Sequence, residues 1–269
     1  MLSLLTITGD SGLAAEREEI LRTPDGVRFA LLGKKRSVPA PTLFMFAFDA
    51  DTTLSNKDYD QICRLLSQQG YLCVSLDLPC HGEDVREGEP QQLEGWAARA
   101  QRGEDFVRPF VSGASEVLDY LIDQGYTHAQ RVAACGVSRG GFMAYQFAAA
   151  DARVRCAAGF APVTDLKQLR EFSSCEVDAV VRRISLSAAA EKLADKAIWL
   201  CIGNNDERVG TDAAIAFARE VAQSAVRAGM PARVDLHVMV SDGHATPSQA
   251  HSMAADWILA VTQPPSSCK

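Results

Sequence analysis

Apolar residues fall along this chain in short unbroken runs separated by longer stretches with helical spacing. The runs 42–48 (TLFMFAF), 71–77 (YLCVSLD), 131–135 (RVAAC), 155–160 and 197–202 (AIWLCI) are apolar at nearly every position and too short for helices. Such runs mark strands buried on both faces, as in a parallel sheet. Segment 26–32 (GVRFALL) predicts an earlier strand, part of an antiparallel entry to the sheet, and 233–240 (RVDLHVMV) predicts a last one. Helical spacing covers 57–69, 106–123, the stretch from the strand 131–135 to about 150, 212–228 and 247–261. Gly70 and Gly125 stand where the first two of these end, as glycine C-caps do. Strands alternating with helices predict an α/β fold, a mostly parallel central sheet with helices on both faces.

Two connections are longer than such elements need: 78–105, rich in Gly, Glu and Gln, and 163–194. Both leave the carboxyl ends of strands, where open α/β sheets bind ligands, so both are expected to flank a cleft. Trp96 and the acidic positions Glu83, Asp84, Glu87 and Glu89 in the first of them read as a solvated loop. No internal repeat or interdomain linker interrupts the pattern, so 1–269 reads as a single domain whose tail, QPPSSCK, frays.

The chemistry concentrates at Gly136-Val137-Ser138-Arg139-Gly140, followed by Gly141. A bare G-x-S-x-G recurs by chance. Here it directly follows an apolar strand and opens a helix carrying Phe142, Met143, Tyr145 and Phe147. That context is a nucleophile elbow, a turn so tight that it projects the serine hydroxyl clear of the sheet. The plainer alternative, a glycine-rich turn for a phosphate or for packing, lacks its usual signatures: neither G-x-G-x-x-G nor G-K-[ST] occurs here.

A serine hydroxyl needs a base, and the base needs an orienting acid. In this kind of fold they follow in the order Ser, Asp or Glu, His. Three histidines lie beyond Ser138. His237 falls inside a strand pattern and His251 inside the last helix, after Thr246, Pro247 and Gln249 with the spacing of a helix start. His244 sits in the loop Ser241-Asp242-Gly243-His244 after the final strand and is the expected base. Asp206, four residues past the strand 197–202 and ahead of a helix that Thr211 is placed to cap, is the expected acid; Glu207 and Asp165 compete, and Asp242 is too near His244 in sequence. The oxyanion hole should use the Arg139 backbone N–H and a second N–H from the loop after 42–48, at Phe48 or Asp49. Cys80-His81 lies near the same cleft, but no elbow presents Cys80, and His81 is as readily structural as pocket-lining.

At these residues the sequence resembles the α/β-hydrolase superfamily, and most closely its prolyl-oligopeptidase-like and acetylxylan-esterase-like branch. G-V-S-R-G-G at 136–141, G-x-x-D-x-x-V at 203–209, D-G-H at 242–244 and D-L-P-C-H-G at 77–82 carry the likeness, which spans about 35 to 269. The resemblance implies the triad Ser138, Asp206 and His244. The chain departs from the branch in lacking a glycine pair after 42–48, and it has serine where dienelactone-hydrolase relatives use cysteine. No propeller pattern precedes the hydrolase stretch, which tilts the expectation toward a small-molecule ester with a short, acetyl-type acyl group. A peptidase or acylaminoacyl hydrolase of the same fold, or a non-catalytic binding protein, are the alternatives.

Composition narrows the partners. A net charge of -7, from 27 basic and 34 acidic residues, with no basic stripe, argues against nucleic acid. No run approaches the roughly 20 apolar residues that cross a bilayer, and the start MLSLLTITGD has no basic region or cleavage site of a signal peptide. Among the eight cysteines, Cys73, Cys135 and Cys201 lie inside strand runs, and no C-x-x-C pair occurs, which predicts reduced thiols and a cytoplasmic setting. No H-E-x-x-H or paired C-x-x-C suggests a metal. Serine chemistry of this kind needs no cofactor, and a homo-oligomer is compatible with everything above.

Overall fold

A computed structural model describes residues 18–263; MLSLLTITGD and the tail from Pro264 onward lie outside the described residues. Eight strands form one sheet: β1 (Glu19–Arg22), β2 (Arg28–Leu32), β3 (Ala40–Phe46), β4 (Leu72–Leu76), β5 (Thr127–Val137), β6 (Val154–Phe160), β7 (Ala197–Gly203) and β8 (Val234–Met239). Their order across the sheet is β1-β2-β4-β3-β5-β6-β7-β8. β2 is antiparallel to both β1 and β4, and every pairing from β4 to β8 is parallel. The mostly parallel α/β-hydrolase architecture is therefore present, with the expected antiparallel entry. β1, exposed and four residues long, carries too little apolar signal to read from sequence.

Nine helices are described: α1 (Ala50–Ser55), α2 (Gln61–Ser67), α3 (Gln92–Gln101), α4 (Val107–Asp123), α5 (Arg139–Ala150), α6 (Asp178–Ile184), α7 (Leu186–Ala189), α8 (Thr211–Arg227) and α9 (Ala250–Thr262). They cover both faces because successive strand residues point to opposite sides. On β3, Phe44 and Phe46 join one core with α4 and α5, while Leu43 and Met45 join the other with α1, α2 and α9. Phe44 meets Phe147 with ring centres 5.0 Å apart, and Phe46 meets Phe110 at 5.1 Å. Each such buried ring is worth about 1.5–3 kcal/mol in removed area, and each pair about 0.5–1.5 kcal/mol more.

Helix boundaries depart from expectation where local hydrogen bonds override spacing. The stretch expected as one helix over 57–69 is α2 alone, and α1 precedes it, capped by the Asp49 carboxylate, which accepts the Thr52 N–H at 2.8 Å. α9 begins at Ala250, because Pro247–Gln249 form a turn closed by the Ala250 N–H on the Pro247 carbonyl at 3.0 Å. Gly125, at φ +71°, does turn the chain after α4.

The two long connections pack on one another: α3 from the first lies against 170–172, 175–177 and α6 from the second. The first is not a solvated loop. Trp96 is fully buried, and Arg99, itself buried, bonds Asp84 at 2.6 Å and Glu89 at 2.7 Å. Glu83 pairs with Arg22. The six cysteines whose side chains are described are buried free thiols. Among the described residues no helix is long and apolar enough to cross a membrane.

Candidate active site

β5 runs straight into α5 through Ser138, whose backbone sits at φ 52°, ψ -115°. A non-glycine residue at positive φ costs on the order of 1–3 kcal/mol and persists only where its surroundings over-determine it. Here they do. The Ser138 N–H donates to the Phe160 carbonyl at 2.9 Å, and its own carbonyl accepts the N–H groups of Gly141 and Val163, each at 3.0 Å. The flanking glycines leave no room for side chains: a Cβ on Gly136 would collide with the Gly140 backbone, and one on Gly140 with the Phe46 carbonyl.

Loops after β7 and β8 bring two further groups to this elbow. His244 Nε2 lies 3.0 Å from Ser138 Oγ, and His244 Nδ1 lies 2.8 Å from Asp206 Oδ2. An ionised carboxylate only accepts, so Nδ1 carries the proton and Nε2 is left to accept from the serine hydroxyl. Asp206 is buried and doubly fixed: Oδ1 accepts the Arg208 N–H at 3.0 Å and the Val209 N–H at 3.2 Å. Thr211 does not cap α8 as its position suggested. Its hydroxyl accepts the Asp206 N–H at 3.0 Å and donates to the Gly203 carbonyl at 2.6 Å, closing the acid loop.

The other candidates are elsewhere. His237, in β8, packs on Trp199 of β7, and His251 is buried on α9 against Phe160. Asp165 caps a single turn of 3-10 helix, and neither Glu207 nor Asp242 bonds His244. Cys80 is buried at φ +61°, with its thiol pushed up to about 12 by burial. His81 is buried against the Phe48 ring and held down to about 4, first by burial and then by the nearby Arg139 charge.

Residues 110–262, over half of the chain, match the prolyl oligopeptidase family. The chain belongs to that family. As a member of it, the protein is a serine hydrolase. No curated protein matches the sequence. Solved structures similar in fold include a cold-adapted esterase from an Arctic intertidal metagenomic library, 14% identical with a TM-score of 0.66, covering 92% of this chain and 94% of its own. A puromycin-hydrolysing peptidase of Mycobacterium tuberculosis is 14% identical at TM-score 0.67, with 92% and 39% covered. An acylaminoacyl peptidase of Pyrococcus horikoshii is 11% identical at TM-score 0.67, with 96% and 44% covered. This member of the family thus spans nearly all of the esterase and about two fifths of each peptidase.

Around Ser138 this prolyl oligopeptidase-family chain has a pocket of about 250 Å³ lined by Ala47, Tyr59, Val137, Arg139, Ala161 and the loop at His244–Thr246. Arg139 opens α5, so its N–H has no intrahelical acceptor and stands next to Ser138 at the positive end of the helix. The Phe48 N–H is engaged elsewhere, donating to Thr53 Oγ1 at 3.0 Å, while the Asp49 side chain caps α1. Ala47, the residue before them, is the one from that strand end that lines the pocket.

Tyr59 was not legible as a site residue, because 57–69 reads as a helix and the loop 56–60 that carries it is visible only in the fold. The two long connections do not line the pocket. They brace it: His81 packs on Phe48 and Gln92 bonds the Arg139 side chain, while Glu171 clamps Arg208, next to the acid loop, at 2.7 and 2.9 Å.

Proposed function

We propose that this serine hydrolase cleaves carboxylic esters with short acyl groups, through an acyl-enzyme on Ser138. The observation that carries the reading is the pocket at Ser138: about 250 Å³, with the small residues Ala47, Ala161 and Ala245 in its wall. That volume sits below the range usual for drug-sized ligands and suits a short acyl group. The end-to-end likeness in fold to a cold-adapted esterase supports the same reading.

In this reading the Ser138 hydroxyl attacks the ester carbonyl as His244 Nε2 takes its proton, and Asp206 holds the ring and offsets the imidazolium charge. The oxyanion is met by the Arg139 N–H at the start of α5, and the Tyr59 phenol supplies the second donor from the pocket wall. His244 then protonates the leaving alcohol, and water repeats the attack to release the acid. No metal or organic cofactor enters these steps.

The competing reading is a peptidase, favoured by the family's name and by the peptidases among its neighbours in fold. Turnover of p-nitrophenyl acetate against an aminoacyl anilide separates the two. Faster ester cleavage is expected, abolished in Ser138→Ala together with labelling by a fluorophosphonate probe. Faster anilide cleavage would reverse the assignment.

A further inference from the structure

We propose that Arg139 makes the Ser138 pocket selective for acyl groups that end in a second, anionic carboxylate, such as the hemiesters of short dicarboxylic acids. The proposal rests on Ser138 being the esterase nucleophile.

Arg139 lines the pocket, and its half-buried guanidinium, anchored on the pocket residue Ala47, is held by neutral groups alone. Nε donates to the Ala47 carbonyl at 3.1 Å, one terminal nitrogen donates to Gln92 Oε1 at 3.3 Å, and the charge lies 4.8 Å over the Phe48 ring. Among the described residues no carboxylate forms an ion pair with it. Glu94, the acid whose field reaches it, is exposed on α3.

The protein treats its other withdrawn arginines differently. Arg28 is paired with Asp51 and Asp77, Arg99 with Asp84 and Glu89, Arg153 with Asp151, and Arg208 with Glu171. Among the described residues Arg131 also lacks a carboxylate, but it lies earlier on β5, outside this pocket, bonded to the Thr262 carbonyl. Holding a guanidinium away from water without an anion is unfavourable, so an uncompensated one beside a nucleophile points to an anion that arrives with the ligand.

The scaffold behind Arg139 is itself strained. Gln92 sits at φ +57° and its N–H donates at 2.9 Å to the carbonyl of Cys80, which sits at φ +61°. Non-glycine residues in this region persist where the surrounding structure requires them. The pair places the Gln92 amide oxygen against Arg139. Of the five N–H donors of a guanidinium, two are occupied, and the remainder suffice for a two-pronged bond to a carboxylate.

Strand order decides which half of the ester carries the charge. The anchors of Arg139 at Ala47 and Phe48 follow β3, on one side of β5; Asp206 and His244 follow β7 and β8, on the other. The leaving alcohol has to stand beside His244 to be protonated. The anion therefore belongs to the acyl half.

Two methyl esters that differ only in charge test this: monomethyl glutarate and its amide isostere, methyl glutaramate. In wild-type protein kcat/KM is expected to favour the carboxylate ester at least tenfold, and Arg139→Gln is expected to remove most of that preference. Fluorophosphonate labelling of Ser138, read in parallel, reports the serine chemistry independently of the acyl charge. A wild-type preference of one or below, a preference unchanged in Arg139→Gln, or labelled protein that turns over neither ester overturns the role of Arg139 while the nucleophile stands. Loss of labelling in wild type overturns the nucleophile and this proposal together. Where the variant does not fold, protection of wild-type Ser138 from the probe by glutarate but not by glutaramide supports the proposal, and equal protection overturns it.

Discussion

The carbonyl of Phe46, at the end of β3, closes over the α-carbon of Gly140, so that a Cβ there would strike the Phe46 oxygen and carbon and the Ala47 nitrogen. All three are backbone atoms at the end of β3, with no side chain able to swing aside. Gly140→Ala is therefore expected to lower stability by about 2–3 kcal/mol. Displacing the elbow should also reduce kcat/KM by about 10²-fold. Thermal melts and an ester assay check both. Gly88→Ala is the control: a Cβ there meets nothing within 4 Å, and only the positive φ of 74° is strained, at about 1 kcal/mol.

Asp206 bonds His244 through one oxygen and two backbone N–H groups through the other. Asparagine keeps the shape but can present an N–H to Nδ1, which favours the wrong tautomer. Asp206→Asn is expected to lower kcat on the order of 10⁴-fold with little change in KM. Steady-state kinetics decide this, and a loss confined to KM would count against the role given to Asp206.

Tyr59 lines the pocket, and Tyr59→Phe removes its hydroxyl while leaving the ring. If the phenol meets the oxyanion, kcat falls by about 10²-fold and fluorophosphonate labelling slows in parallel. An unchanged kcat would leave the Arg139 N–H without this partner.

Glu89 and Arg99 form an ion pair with both side chains only 4% exposed. The Arg99 hydrogen bond, with Arg102 adding to it, holds the Glu89 carboxyl down to about 2 from an ordinary 4.5. Because the folded value lies below the unfolded one, the stabilisation is complete above about pH 4.5 and is lost as pH falls toward 2. Glu89→Gln is expected to destabilise the protein by about 3 kcal/mol at neutral pH. The gap from wild type should shrink between pH 4.5 and 2, as melts across that range would show.

His81 titrates in the same spirit, with a different window. Burial and the Arg139 charge hold the folded imidazole at about 4 against an ordinary 6.5, so the unfolded chain binds the extra proton first. Stability from this group is full above pH 6.5 and declines as pH falls toward 4. His81→Gln is expected to flatten that decline. A melt series whose slope between pH 6.5 and 4 is the same in both proteins would refute it.

Much of this protein was legible from its residues in order. Continuous apolar runs declare doubly covered strands because burial on both faces leaves no polar position, and a Gly-x-Ser-x-Gly between a strand and a helix admits few other backbones. The order Ser138, Asp206, His244 follows from loops that all leave one end of a parallel sheet. Short-range hydrogen bonds hid the rest: α1 is too brief for periodicity to register, and Thr211 bonds into the acid loop instead of capping its helix. Only the tertiary structure could show that Phe48 spends its N–H on Thr53, that Tyr59 lines the same pocket as Ser138, and that the Arg139 guanidinium there forms no ion pair among the described residues. Those are facts about which distant groups meet, and periodicity along a chain encodes which face a residue takes, not which partner waits there.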